Sequence, residues 1–423
     1  MAVSAGSVFR NVVVRKKKAD TDPFLPPDAV DELGKGALLK EANRWLDRRE
    51  NEIHMIRSFD GLLLQGEFFA ADETTRDTVI LFHGYRNNHR REYAVMAKFL
   101  LEAGYNVLMV DERAHGASEG NYVGFGILDR EDVYRWVHYV DRRFHGNGNI
   151  FLHGISMGGA SVLMASSLNL PSSVKGIVAD CAYTSPKEEF IHVMRTRGKY
   201  YSRVLLGTAN LICKWSAGYS FDDYSSVKAV AQTKVPILII HGTQDDFVPV
   251  RMAKEIYRAC ISRKELYLVE GAGHAESYYL EKGEYEKRML SFFDKCLKGT
   301  ENERASDRST TMGTQTNGRN EPHEGDCTGI RSDHLDRSVA SDASDFLKRG
   351  YRDEFLGLSV HSYIRNLCDR SGGCGYVPAL DHLWADRNHS FDPDRRIGLR
   401  DVPYDFFHDC PSKDRTEGTK SDE

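Results

Sequence analysis

Residues 151–160 read FLHGISMGGA, an apolar run that ends where Gly154 and Gly158 flank Ser156, with Gly159 and small residues directly behind. The preceding NIFLH has the continuous apolar character of a strand covered on both faces. The following GASVLMASSL carries the pattern of a buried helix. A Gly-x-Ser-x-Gly placed between such a strand and such a helix forms a nucleophile elbow. Its glycines make room for a strained turn that lifts the serine hydroxyl clear of the sheet edge. The helix N-terminus behind the turn favours negative charge as it develops. Ser156 is therefore a candidate nucleophile, with Gly154 and Gly158 supporting its turn.

Outward from this turn the chain alternates short apolar runs with longer helical patterns. EIHMIRSF and LLLQGEFF, joined across Asp60-Gly61, read as an antiparallel hairpin. TVILFHG (78–84), YNVLMVDE (105–112), NIFLHG (149–154), VKGIVAD (174–180), VPILIIHG (235–242) and KELYLVEG (264–271) follow as strands. Helical patterns lie between them at 91–104, 126–144, 250–260 and 284–297. The alternation predicts an α/β fold with a mostly parallel eight-stranded sheet flanked by helices.

A serine hydroxyl needs a base to take its proton and an acid to orient that base. Both should follow it in chain order, in loops at the carboxyl ends of later strands. HGTQDDFVP (241–249) supplies Asp245 and Asp246, of which Asp245 is preferred; Asp180, after VKGIVA, is a third candidate. GAGHAESY (271–278) supplies His274. His153 and His241, each at a strand end before a glycine, read as local packing and hydrogen-bonding residues. Attack on a carbonyl creates an oxyanion that needs preorganised donors. The backbone N–H of Met157, next to the nucleophile, is one; the loop His83-Gly84-Tyr85-Arg86 offers Tyr85 N–H as the second, with Gly84 allowing close backbone approach. This chemistry calls for no cofactor and no metal.

Three regions follow from composition. Residues 1–50 hold one helix near DAVDELGKGALLKEANRWLDRRE and otherwise a loose basic arm, whose Arg15 to Lys18 cluster reads as a solvated charge run in preference to a peripheral membrane contact. Residues 51–298 form the catalytic domain, with a strand-free helical lid over about 184–230; its Phe190, Tyr200, Tyr201, Leu205, Leu206, Trp215 and Tyr219 suit either an acyl pocket or packing on the sheet. Residues 299–423 are polar and aperiodic and read as a largely disordered tail. The net charge of −5 gives no case for nucleic acid. The N-terminus has no secretory pattern, and no run is long and apolar enough to span a membrane. The expectation is a cytoplasmic protein whose eight scattered cysteines are reduced thiols. Cys368 and Cys374 with His361 and His382 lack zinc-site spacing.

The region 51–298 resembles the α/β-hydrolase superfamily, and within it the serine aminopeptidase-like and esterase-like branch. SFDG (58–61), LFHGY (81–85), DERAHGASEG (111–120), GISMGG (154–159), HGTQDDFVP and GAGHA (271–275) carry the resemblance. It implies Ser156, Asp245 and His274 as a triad, because the pattern HGxxDxxVP puts the acid at the first of the two aspartates. It also implies a bracing role for Asp111, Arg113, His115 and Gly116. Ala114 stands where the family usually has glycine. The expected activity is hydrolysis of an ester, thioester or amide in a small acyl or peptide substrate, by a carboxylesterase, acylglycerol lipase or aminopeptidase. The alternative is an inactive α/β-hydrolase fold that binds a ligand or a protein.

Overall fold

The structure, a computed structural model, describes residues 4–16, 34–72, 74–196 and 202–313, with the backbone alone from 299 onward. The chain divides into two units, Met1–Arg319 and Asn320–Glu423, and the described residues all belong to the first. The tail beyond 313, its cysteines, and Tyr200 and Tyr201 of the lid lie outside the described residues.

All eight expected strands form: β1 (Glu52–Arg57), β2 (Leu63–Phe69), β3 (Thr78–Phe82), β4 (Asn106–Val110), β5 (Ile150–Ile155), β6 (Val174–Asp180), β7 (Ile237–Gly242) and β8 (Lys264–Val269). The helices are α1 (Ala5–Val12), α2 (Lys35–Leu46), α3 (His89–Glu102), α4 (Asp129–Arg143), α5 (Met157–Ala165), α6 (Pro186–Thr196), α7 (Arg203–Ala217), α8 (Ser226–Val230), α9 (Val250–Ala259), α10 (Ser277–Leu280) and α11 (Lys282–Gly313). The sheet order is β1-β2-β4-β3-β5-β6-β7-β8. β2 is antiparallel to both β1 and β4, and the strands from β4 to β8 run parallel.

Alternation along the central strands fills both faces. Val79 and Leu81 of β3 join Val107, Met109 and Phe151 in one core with α3 and α11. Ile80 and Phe82 join Leu108, Val110 and Leu152 in the other, with α4 and α5. Each such side chain, fully buried, contributes about 1.5–3 kcal/mol relative to exposure. From β3 the chain goes to β4 on one side and later to β5 on the other, so the loops leaving β3 and β5 diverge and open a crevice at the carboxyl edge. Such a switch point is where ligands bind in open α/β sheets.

The lid interval 184–230 holds α6, α7 and α8. Leu206, Cys213, Tyr219 and Phe221 pack there with Phe125, Tyr183 and Met252. The N-terminal segment departs from the loose arm expected of it. Ser4 caps α1 by accepting from Ser7 N–H, and Phe9 and Val13 are buried in this same cluster. The backbone of α11 stays helical to Gly313, past the boundary expected at 298. Among the described residues no helix is long and apolar enough to cross a membrane. The described cysteines, Cys181, Cys213, Cys260 and Cys296, are free thiols and buried.

Candidate active site

The turn after β5 places Ser156 at φ 55° and ψ −112°, a region that side chains rarely adopt. Its neighbours must be glycine. A Cβ on Gly154 would come within 2.2 Å of the Gly158 carbonyl oxygen, and one on Gly158 within 2.0 Å of the Phe82 carbonyl oxygen. The close approach of β5, α5 and β3 therefore excludes any side chain, and the strain falls on the serine between them.

Ser156, Asp245 and His274, which come from three separate loops, lie within hydrogen-bonding reach of one another. His274 Nε2 is 3.0 Å from Ser156 Oγ, and Nδ1 is 2.8 Å from Asp245 Oδ2. The other Asp245 oxygen accepts from the backbone N–H groups of Phe247 and Val248 at 3.0 and 2.8 Å. Burial pushes the Asp245 carboxyl up, but the charge of His274 and hydrogen bonds from His241 and His274 outweigh it and hold it well below the usual carboxylate range. Burial opposes the His274 imidazolium, yet Asp245 raises its pKa above the ordinary histidine value. Asp246 is exposed, and its carbonyl is 3.0 Å from His192 Nε2 of the lid helix α6. Asp180 is held by the Tyr285 hydroxyl at 3.0 Å, and burial lifts its carboxyl to about 6.

The two other strand-end histidines differ in role. His153 bonds to Tyr93 and Tyr285 at 3.0 and 2.8 Å inside the core. His241 does more than pack: its Nε2 lies 2.7 Å from the Val248 carbonyl and 3.4 Å from Asp245 Oδ2, tying both ends of the acid loop together. Cys181, at φ 44°, places its sulfur within 4.8 Å of ligand atoms on Asp245 and His274. Burial raises its thiol well above the usual value.

The loop after β3 is fixed by His83, Glu92 and Glu112, to which the sequence assigns no role, and by His115, one of the residues expected to brace it. Glu112 N–H donates to His83 Nε2 at 3.1 Å, so the proton of the neutral ring sits on Nδ1 and is donated to the Gly84 carbonyl at 2.7 Å. Burial lowers His83 to about 4, which keeps it neutral. Gly84 C=O and Tyr85 N–H share one trans peptide, so holding the carbonyl sets the N–H in the opposite direction. On the other side of Tyr85, Arg86 N–H donates to His115 Nε2 at 3.0 Å. Glu92, in the first turn of α3, accepts from Gly84 N–H at 3.3 Å and from Asn87 Nδ2 at 2.5 Å. Met157 is the first residue of α5.

Around this loop the motif 111–120 builds a brace. Asp111 Oδ1 lies 2.7 Å from His89 Nδ1, and Oδ2 accepts from Ala117 N–H at 2.8 Å. A Cβ on Gly116 would sit 2.0 Å from the Asp111 carboxylate. Arg113, buried, donates to Asp132 at 2.6 and 2.9 Å and to Asp60 at 3.0 and 3.2 Å. Ala114 adopts φ 62°, the left-handed conformation for which glycine is the usual residue. The end of α1 clasps the same loops. Tyr85 hydroxyl donates to the Val12 carbonyl at 2.6 Å, Arg86 donates to the Asn11 carbonyl, and Arg15 donates to the carbonyls of Ser118 and Gly116 at 2.6 and 2.7 Å.

A cavity of about 540 Å³ lies apart from the serine, between α6 and α7, lined by Lys187, Ile191, Arg195, Arg203, Leu206 and Phe221 among others.

The chain is similar to several known proteins. Residues 77–225, which include the elbow, match the family described as alpha/beta hydrolase fold. The uncharacterized protein YqkD of Bacillus subtilis is 28% identical over 300 residues, covering 71% of this chain and 95% of YqkD. The alpha/beta hydrolase domain-containing protein WAV2 of Arabidopsis thaliana is 25% identical over 244 residues, covering 57% of this chain and 77% of its own length. Among solved structures, an esterase of Pyrococcus furiosus aligns with a TM-score of 0.49 at 23% identity, covering 60% of this chain and 93% of that one.

Proposed function

We propose that this chain, which belongs to the α/β-hydrolase superfamily, is a serine hydrolase that cleaves an ester, thioester or amide through an acyl-enzyme on Ser156. The observation that carries this reading is the continuous hydrogen-bonded line from Ser156 Oγ through His274 to Asp245. In the proposed reaction Ser156 Oγ attacks the substrate carbonyl while His274 Nε2 takes its proton. Asp245 holds the ring with Nδ1–H facing it and stabilises the imidazolium. The developing oxyanion is received by Met157 N–H and Tyr85 N–H, the latter kept in place by the grip of His83 on the Gly84 carbonyl. His274 then protonates the leaving group, and a water activated by the same ring frees the acyl group. No metal or cofactor enters any step. The substrate is a small acyl or peptide compound.

The test is covalent labelling by a fluorophosphonate probe, together with turnover of short p-nitrophenyl esters. The wild-type protein labels on Ser156 and turns over; Ser156→Ala does neither. A folded wild-type protein that stays unlabelled would overturn the reading.

A further inference from the structure

The outer face of α7 is unusual for a helix beside an active-site crevice. Val204, Leu211 and Trp215 are 78%, 59% and 88% exposed. At about 100° per residue these positions, with Thr208, fall within an arc of roughly 60°, directly opposite the buried Leu206, Ala209 and Cys213. The helix thus has two apolar faces: one packs inward with Phe125, Tyr183 and Met252, and the other meets solvent. α7 contains no acidic residue, whereas Arg203 and Lys214 flank the exposed stripe on one side. α1 lies against α7 and adds the exposed Arg10, and the segment that follows it carries the exposed Lys16. Two lid acids line the neighbouring cavity, Glu188 and Asp222, and Asp222 is paired with Lys187 at 2.7 Å. This positive margin contrasts with a whole-chain charge of −5.

We propose that α7 docks on an anionic lipid surface, with Val204, Leu211 and Trp215 entering the acyl boundary and Arg203 and Lys214 meeting the headgroup phosphates. An exposed tryptophan and aliphatic residues in line on a helix without acids, bordered by cations, have the chemistry of an interfacial helix. Tryptophan suits a headgroup boundary because its ring is apolar and its N–H is polar. A protein partner would need an apolar face of its own, and nothing in the stripe's geometry calls for one; the cations call for negative charge. Docking here would present the lid and the neighbouring crevice to whatever the membrane holds. The proposal rests on exposure and charge alone and does not require Ser156 to be catalytic.

The experiment is co-sedimentation of the full chain with vesicles of phosphatidylcholine alone and of phosphatidylcholine mixed with phosphatidylserine. Two double variants accompany it, Leu211→Ser with Trp215→Ser and Arg203→Glu with Lys214→Glu. All four side chains are exposed, so circular dichroism and melting should match the wild type. The wild type is expected to sediment with the mixed vesicles, less with phosphatidylcholine alone, and less as salt is raised. Each double variant should lower partitioning on the order of tenfold. Absence of wild-type sedimentation, or sedimentation unchanged by both variants, overturns the proposal. So does a dimer in sedimentation velocity that the serine variant dissolves, because the stripe's occupant would then be a second copy of the chain. Should a variant fail to fold, the salt dependence and lipid preference of the wild type decide alone.

Discussion

At the residue scale, Ser156 combines two properties that can be separated. Its left-handed backbone costs on the order of 1–3 kcal/mol in a residue with a Cβ. Replacement by glycine removes that strain along with the hydroxyl. Ser156→Gly is therefore expected to lose fluorophosphonate labelling while gaining about 1 kcal/mol in stability, read as a raised thermal midpoint. His274 supplies a second prediction. In the proposed role of base it must be neutral, and its pKa is raised above about 6.5, the ordinary value. The labelling rate should thus rise with pH through an inflection above that value. Asp245→Asn, which removes the raising charge, should move the inflection downward and slow the reaction. That these three side chains would meet could be read from chain order and strand ends, because each follows an apolar run that fixes where its loop emerges. The roles of His83 and Glu92 could not. Both act on the backbone of Gly84, and neither residue type nor spacing announces a contact with a main-chain carbonyl or amide.

At the scale of elements, the strands were legible because burial on both faces leaves unbroken apolar runs, and β3 to β7 are buried along their whole length. Helix α1 was not, since AGSVFRNV is too short to stand alone and is held by Phe9 and Val13 against the lid. The hairpin β1-β2 is joined to the β4–α4 loop by Arg113, whose guanidinium spans Asp60 and Asp132. Burial already lifts Asp132 to about 7 with the arginine in place. Arg113→Met leaves two carboxyl groups without their partner, one of them buried, and should cost about 3 kcal/mol, measured as a lower urea midpoint. The SFDG and DERAHGASEG motifs were each readable by resemblance, but the ion pair from Arg113 to Asp60 that joins them is a product of the tertiary fold. Ala114 shows the same limit from the other side. Its place in the motif marked a usual glycine, and only the backbone shows that the conformation was kept while the residue changed.

At the scale of the molecule, every residue assigned to the site lies in the unit Met1–Arg319. A chain ending at Arg319 is expected to label with fluorophosphonate at the rate of the full chain; a rate lowered more than about tenfold would tie the remaining residues to the site. The amino end stands differently. A boundary drawn at residue 51 keeps all eight strands with Ser156, Asp245 and His274, and would pass as a self-sufficient domain. It discards the carbonyls of Asn11 and Val12 that Arg86 and Tyr85 hold, and the arginine that reaches Ser118 and Gly116. During synthesis the first helix leaves the ribosome long before the loops that grasp it, so it must wait as an unpartnered segment until β3 and β4 are in place. The loops then close on a segment made well before them. For anyone cutting or tagging this protein, the sensitive stretch is the one around α1, where a fusion joined just before Ser4 would abut a helix that steadies the Gly84–Arg86 loop.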